Sequence, residues 1–129
     1  MKISHACVLV VEDHEDTRLM LRTMLEVRGG ISVVEAENGM RAIDLSQSFH
    51  PDLILIDSNL PLLDGYEATR RIRELTAMRE VPIVFLSGHA QPAAEARAFA
   101  AGCSDYLVKP FGLDKLGRMV DRHLSQKAN

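Results

Sequence analysis

Five short runs of aliphatic and β-branched residues, Cys7–Glu12, Ser32–Glu35, Leu53–Asp57, Ile83–Ser87 and Asp105–Val108, alternate with longer stretches of helical periodicity. This is the pattern of βαβ units, because two parallel strands must be joined by a crossover and a helix supplies it. Three of the runs are almost continuously apolar, as strands are when helices cover both faces of a sheet. The fold class expected is α/β, with five parallel strands. A length of 129 residues, 47% hydrophobic and 26% charged, suits one such domain and leaves no room for a second. A chain of this size buries roughly two thirds of its extended surface on folding, so its core needs no staple. The two cysteines, Cys7 and Cys103, have neither CxxC nor zinc spacing and read as small buried hydrophobes in a reducing compartment.

The helical stretches have recognisable ends and faces. The first, Glu15–Arg28, carries Met20, Leu21, Met24 and Leu25 at core spacing and stops at Gly29-Gly30, where a left-handed backbone is easily adopted. Asn38 and Asp64 are suited to N-cap the second and third helices, the third turning Ala68, Ile72 and Leu75 inward. The fourth has Pro92 in its first turn and Gly102 at its end, with Ala96, Phe99 and Ala100 expected inside. The fifth places Leu113, Leu116, Met119, Val120 and Leu124 on one stripe, leaving a core of about 6–124 and a frayed tail over 125–129. No repeat, low-complexity segment or linker breaks the pattern, so residues 1–129 are expected to form a single domain without an output domain, its partners acting in trans.

Several function classes are disfavoured at this stage. A formal net charge of −3 and 5% aromatic residues support neither phosphate tracking nor base stacking, so direct nucleic-acid binding is not expected. No run approaches the ~20 apolar residues that cross a bilayer, and the N-terminus lacks a secretory signal; no membrane association and a cytoplasmic location are expected.

In open parallel sheets the ligand site lies outside the carboxyl ends of the strands, near the point where chain order reverses. The residues ending the apolar runs there are Glu12 and Asp13 after the first, Asp57 on the third, Ser87 on the fourth and Lys109 just past the fifth. Each alone could be a helix cap, a local hydrogen-bonding group or a solvated charge. Together they are harder to explain so, since two carboxylates ~5 Å apart repel by roughly 3 kcal/mol at an effective dielectric near 20. Three carboxylates facing one ammonium call for a divalent cation. Hard oxygen donors favour Mg²⁺, with Mn²⁺ as a possible substitute, and such an ion also binds phosphate oxygens.

Glu12-Asp13, the segment Asp57-Ser58-Asn59-Leu60-Pro61-Leu62-Leu63-Asp64-Gly65, Leu86-Ser87-Gly88 and Lys109-Pro110-Phe111 resemble the receiver domain of two-component response regulators, over essentially the whole chain. The resemblance implies a doubly wound, flavodoxin-like three-layer αβα fold with strand order 2-1-3-4-5. It implies that Asp57 is the phosphoacceptor, attacking a phosphohistidine on a partner histidine kinase or histidine phosphotransfer protein. By the same comparison Asp13 and Asp57 bind Mg²⁺ directly, Glu12 acts through a bound water, and the Asn59 backbone carbonyl completes the protein ligands. Lys109 and Ser87 would meet phosphoryl oxygens, Lys109 after a cis peptide to Pro110 that the ~5% general frequency would not suggest. Ser87 and Tyr106 would form the switch, Tyr106 turning inward to reshape a readout surface around Ala93, Glu95, Arg97, Tyr106, Lys115 and Arg118 for a downstream protein target. Asn59 and His89 fall where similar proteins shape access of the hydrolytic water. The partner kinase would meet Glu15, Thr17 and Arg18 beside the Lys109-Pro110-Phe111 loop. The protein would be consumed and restored rather than turn over a metabolite, as a monomer or a weak phosphorylation-dependent dimer. Ser87 replaces a more frequent threonine, and Gly88 stands where alanine is common and could loosen the following loop.

Rival readings lack their motifs. Gly112 and Gly117 have phosphate-loop spacing, but Arg118-Met119 follows where Lys-Ser/Thr is needed. GxGxxG, GxSxG and HExxH are missing, and the five histidines are scattered. A non-phosphorylated interaction module of the same fold is opposed by the complete acidic, hydroxyl and lysine set. A receiver module cut from a hybrid kinase or larger regulator is the alternative to a stand-alone regulator.

Overall fold

The computed structural model of the protein describes residues 5–128. Its elements are β1 (Ala6–Val11), α1 (Glu15–Glu26), β2 (Ile31–Ala36), α2 (Gly39–Phe49), β3 (Leu53–Asp57), α3 (Gly65–Glu74), β4 (Ile83–Ser87), α4 (Pro92–Ala101), β5 (Asp105–Val108) and α5 (Leu113–Ala128), with one 3₁₀ turn at Thr76–Met78. All strand pairings are parallel and the order is β2-β1-β3-β4-β5. The chain winds outward from β1 in one direction to β2 and in the other through β3, so a crevice opens at the carboxyl ends of β1 and β3.

Side chains alternate between two cores. Leu9, Val11, Ile54, Ile56, Ile83 and Phe85 pack with Ala68 and Ile72 of α3 on one face. Val8, Val10, Leu53, Leu55, Val84 and Leu86 pack with Leu21 and Leu25 of α1 and Leu116 and Val120 of α5 on the other. A sheet covered on both faces explains the unbroken apolar runs of β1, β3 and β4. Asn38 and Asp64 cap as expected, their side chains accepting the backbone N–H of Arg41 and Glu67.

Several expectations about helix faces are corrected. On α4 the buried residues are Ala98 and Ala101, while Ala96 and Ala100 are exposed and Phe99 is 45% exposed. Alanine fills so much of this helix that hydrophobic periodicity has no clear phase; the small-residue face is the one that approaches the sheet. Met20 on α1 and Leu113 in the first turn of α5 are also exposed. α5 continues through Ala128 rather than fraying after Leu124, and Asn129 lies outside the described residues. Cys103 is buried, its thiol pushed up to about 11 chiefly by burial, whereas Cys7 is only partly buried.

At the sheet edge where β4 begins, the Arg73 guanidinium donates to the carbonyls of Gly102 (2.8 Å), Met78 (2.8 Å), Arg79 (3.3 Å) and Val81 (2.6 Å) and to Ser104 Oγ (3.1 Å). Ser104 Oγ in turn accepts the Ile83 N–H at 3.1 Å. One side chain thus ties the end of α3, the entry to β4 and the α4–β5 turn.

Candidate functional site

β1 and β3 deliver their last residues to the crevice where the winding direction changes. Asp57 is the final residue of β3, and Glu12 and Asp13 follow β1 directly. Glu12 is fully buried, and Asp57 nearly so; Asp13 keeps about a third of its side chain in solvent. From the far side of the sheet, Lys109 reaches over with its Nζ 3.0 Å from Asp57 Oδ1 and 3.4 Å from Glu12 Oε1. The Lys109–Pro110 peptide is cis. Gly65, at the start of α3, allows that helix to approach the end of β3: a Cβ there would press on the Asp57 carbonyl and lie 2.9 Å from Ser58 Cα.

The electrostatics of the cluster carry one sign. Burial pushes the Asp57 carboxyl above its ordinary range; the hydrogen bond from Lys109 opposes this and the charges of Glu12 and Asp13 add to it. Burial alone would lower the Lys109 ammonium, but its hydrogen bond and ion pair with Asp57 and the charge of Glu12 outweigh it, so it too is held above its ordinary value. Three carboxylates face one ammonium, so the cluster carries surplus negative charge, and burial keeps the Asp57 carboxyl raised despite its lysine. The donors are hard carboxylate oxygens, and the missing charge is positive; this set fits a hard divalent cation.

Ser87, the last residue of β4, is fully buried, its Oγ accepting the His89 N–H at 3.1 Å and contacting Ser58 Oγ at 3.3 Å. Tyr106, half-buried on β5, lies with its ring near-parallel to Phe85 at 6.4 Å and donates its hydroxyl proton to the His89 carbonyl at 2.8 Å. The β4–α4 loop is therefore fastened at both backbone polar groups of His89, its N–H by Ser87 and its carbonyl by Tyr106. Asn59 and His89 line one groove of about 630 Å³ with Asp64, Tyr66 and Arg97. Gly88 has open space at its Cβ position.

Two expected surface residues turn out to be engaged. Arg18 does not project from α1: its guanidinium bonds Glu35 Oε1 and the Glu12 carbonyl, each at 2.9 Å, because the buried acid at β1 and the acid on β2 draw it inward. Arg97 stays 64% exposed while its guanidinium lies 3.9 Å from the centroid of the Tyr66 ring on α3. Lys115 and Arg118 do flank Tyr106 along a shallow groove. Glu15 is exposed and Thr17 partly so.

Sequence reasoning passed over Ser58 and His14. Ser58 carried only the signal of following Asp57. His14 was counted among scattered histidines, yet its Nδ1 lies 3.2 Å from Glu12 Oε2 and 3.3 Å from Asp13 Oδ1; adjacency to the acid pair was the available clue.

A doubly wound parallel sheet whose reversal point gathers buried acids, a hydroxyl and a lysine defines a signalling receiver of the flavodoxin-like class. The chain belongs to the response regulator receiver domain family, which matches residues 8–121. Among relatives, the polar-differentiation response regulator DivK of Brucella ovis is 30% identical over 117 residues, 91% of this chain and 94% of DivK. The regulatory protein AtoC of Escherichia coli is 32% identical over 91% of this chain but only 25% of its own length. Among solved structures, the receiver domain of the sensor histidine kinase PA1611 from Pseudomonas aeruginosa, with magnesium coordinated in its active-site cleft, superimposes with a TM-score of 0.87 at 35% identity, covering 94% of this chain and 98% of that one. The chemotaxis protein CheY4 of Vibrio cholerae gives 0.87 at 30% identity, over 92% and 98%. Among the described residues no helix is long and apolar enough to cross a membrane.

Proposed function

We propose that this protein is a phosphoryl-accepting switch of a two-component system, with Asp57 as the acceptor. The observation that carries the reading is the buried Asp57 carboxylate held by Lys109 Nζ at 3.0 Å in a cluster with surplus negative charge. An Asp57 oxygen attacks phosphorus on a phosphohistidine of a kinase or phosphotransfer partner; the P–N bond breaks, the imidazole leaves, and an aspartyl phosphate remains. Lys109, 3.0 Å from Asp57, would pair with a non-bridging oxygen, and the Ser87 hydroxyl would donate to another. Glu12, Asp13 and Asp57, with the Asn59 backbone carbonyl, would hold Mg²⁺ or Mn²⁺, which when bound supplies the positive charge that phosphoryl oxygens require. Asn59 and His89 stand at the groove through which the hydrolytic water would come.

Phosphorylation changes the Asp57 charge from near −1 towards −2 and adds acceptor oxygens. Ser87 is drawn to them and releases the His89 N–H, and Tyr106 is freed to turn inward. The exposed face around Tyr106, Lys115 and Arg118 then presents a new surface to a protein target. In this role the chain is restored by hydrolysis and turns over no external metabolite. The test is incubation with a small phosphodonor and Mg²⁺ followed by intact-mass measurement. One phosphoryl adduct is expected on the wild type and none on Asp57→Asn; equal labelling of the two overturns the assignment.

A further inference from the structure

The Ser58 side chain has one hydrogen-bond partner among the described residues: its hydroxyl donates to Ser87 Oγ at 3.3 Å, and both residues are buried. Taking a hydroxyl out of water costs free energy that alanine would not incur at the same place, and the bond to Ser87 is what offsets that cost. The backbone of Ser58 is fixed on two sides. Its N–H donates to the Leu86 carbonyl at 3.2 Å and its carbonyl accepts the Gly65 N–H at 3.1 Å. The start of α3 also stands so close that a Cβ on Gly65 would come within 2.9 Å of Ser58 Cα. Ser87 is the opposite case. It ends β4, where the loop to α4 begins, and rotation about a single side-chain bond carries its oxygen to a different place.

A hydroxyl oxygen has two lone pairs to accept with and one proton to donate. Ser87 Oγ accepts from the Ser58 hydroxyl and from the His89 N–H, at 3.3 and 3.1 Å, so both lone pairs are taken and its own proton has no acceptor among the described residues. Resting on the phosphoryl-switch reading above, we propose that Ser58 is a positioning residue whose hydroxyl acts as a fixed post, holding Ser87 Oγ, and through it the β4–α4 loop, in the resting arrangement. The Ser87 proton is left over for an oxygen arriving on Asp57. To follow that oxygen Ser87 must give up two donors rather than one, and Ser58, tied to β4 and α3, cannot travel with it. The Ser58 hydroxyl thus sets how readily the loop is released, while touching neither Lys109 nor the acids.

The test begins with the unphosphorylated protein. Exchange of the His89 amide proton with water, followed by nuclear magnetic resonance, should quicken about two- to tenfold in Ser58→Ala and stay near wild type in Ser58→Thr, which keeps the hydroxyl. In a Ser87→Ala background, where the shared oxygen is gone, Ser58→Ala should add nothing. Apparent affinity for beryllofluoride with Mg²⁺, a tetrahedral mimic of the phosphoryl group on a carboxylate, should rise about two- to tenfold in Ser58→Ala, a gain that damage to the fold would not produce. Unchanged His89 exchange, Ser58→Thr matching Ser58→Ala, equal acceleration in the Ser87→Ala background, or beryllofluoride affinity that fails to rise overturns the inference. The phosphoacceptor reading fails separately: it falls if the Mg²⁺-loaded wild type takes neither a phosphoryl group nor beryllofluoride on Asp57, and His89 exchange alone then decides the role of Ser58.

Discussion

Without a metal, the wild-type protein should be less stable than Asp57→Asn at neutral pH. Asp57 Oδ1 and Glu12 Oε1 share one ammonium at 3.0 and 3.4 Å, so the two carboxylates are within about 6 Å and repel by roughly 3 kcal/mol at an effective dielectric near 20. Asp13 adds a smaller repulsion of the same sign. Attraction to Lys109, roughly 5 kcal/mol on the same scale, about cancels these, and the cost of burying the charge is left over. Asparagine keeps an oxygen for Lys109 while shedding the charge, so a gain of about 1–2 kcal/mol is expected, or roughly 3–8 °C in Tm for a domain of this size. The pH dependence has a definite sign. A carboxyl whose folded pKa is raised binds its proton more tightly in the folded state, so its contribution to stability falls as pH rises from the ordinary carboxylate range through the raised value. The advantage of Asp57→Asn is therefore largest at neutral pH and shrinks on acidification, and Mg²⁺ narrows it by stabilising the wild type more than the variant, which has lost one carboxylate of the set. Thermal or urea unfolding with EDTA, repeated at neutral and mildly acidic pH and with Mg²⁺, measures all three. A substitution that destabilises at neutral pH, or a difference flat with pH, would refute the account of surplus buried charge.

Tyr106→Phe removes the hydroxyl that holds the His89 carbonyl at 2.8 Å, at a net cost of about 0.5–1.5 kcal/mol. Amide hydrogen exchange should accelerate several-fold in the β4–α4 loop and not in β1 or β3; unchanged exchange there would show that the bond does not restrain the loop. Gly65→Ala forces a methyl group against the Asp57 carbonyl and Ser58 Cα, so Tm should fall by an amount equivalent to about 1–3 kcal/mol and Mg²⁺ affinity should weaken with it, both readable by calorimetry. Full retention of both would mean that α3 can back away from β3 without cost.

The sheet was legible because a doubly covered strand leaves a strong signal. β3, β4 and β5 begin and end where the apolar runs do, and β1 and β2 differ only at their margins. The residues at the carboxyl edge followed from the same runs, since only the strand ends can face the crevice, and Asp57, Glu12 and Lys109 do meet there. Side-chain direction on the helices was less legible. On α4 the sequence offers alanine on every side, so the bulk of Phe99 pointed inward on hydrophobicity alone, whereas close packing selected Ala98 and Ala101. Arg18 was expected at an exposed partner contact, and its engagement escaped the sequence because an arginine's partner is set by tertiary approach: Glu35 lies on a neighbouring strand. His14 went unrecognised because a lone histidine gains meaning only from the two oxygens it faces.

The Arg73 fork gives the sheet two unlike rims. At one, a guanidinium spans four carbonyls and a hydroxyl, so the strands are moored where β4 enters. At the other, like charges strain against a single lysine. A rearrangement set off among those acids meets the two fastenings of the β4–α4 loop before it meets any strand, as the ribs of a fan open at the tips while the pivot stays riveted.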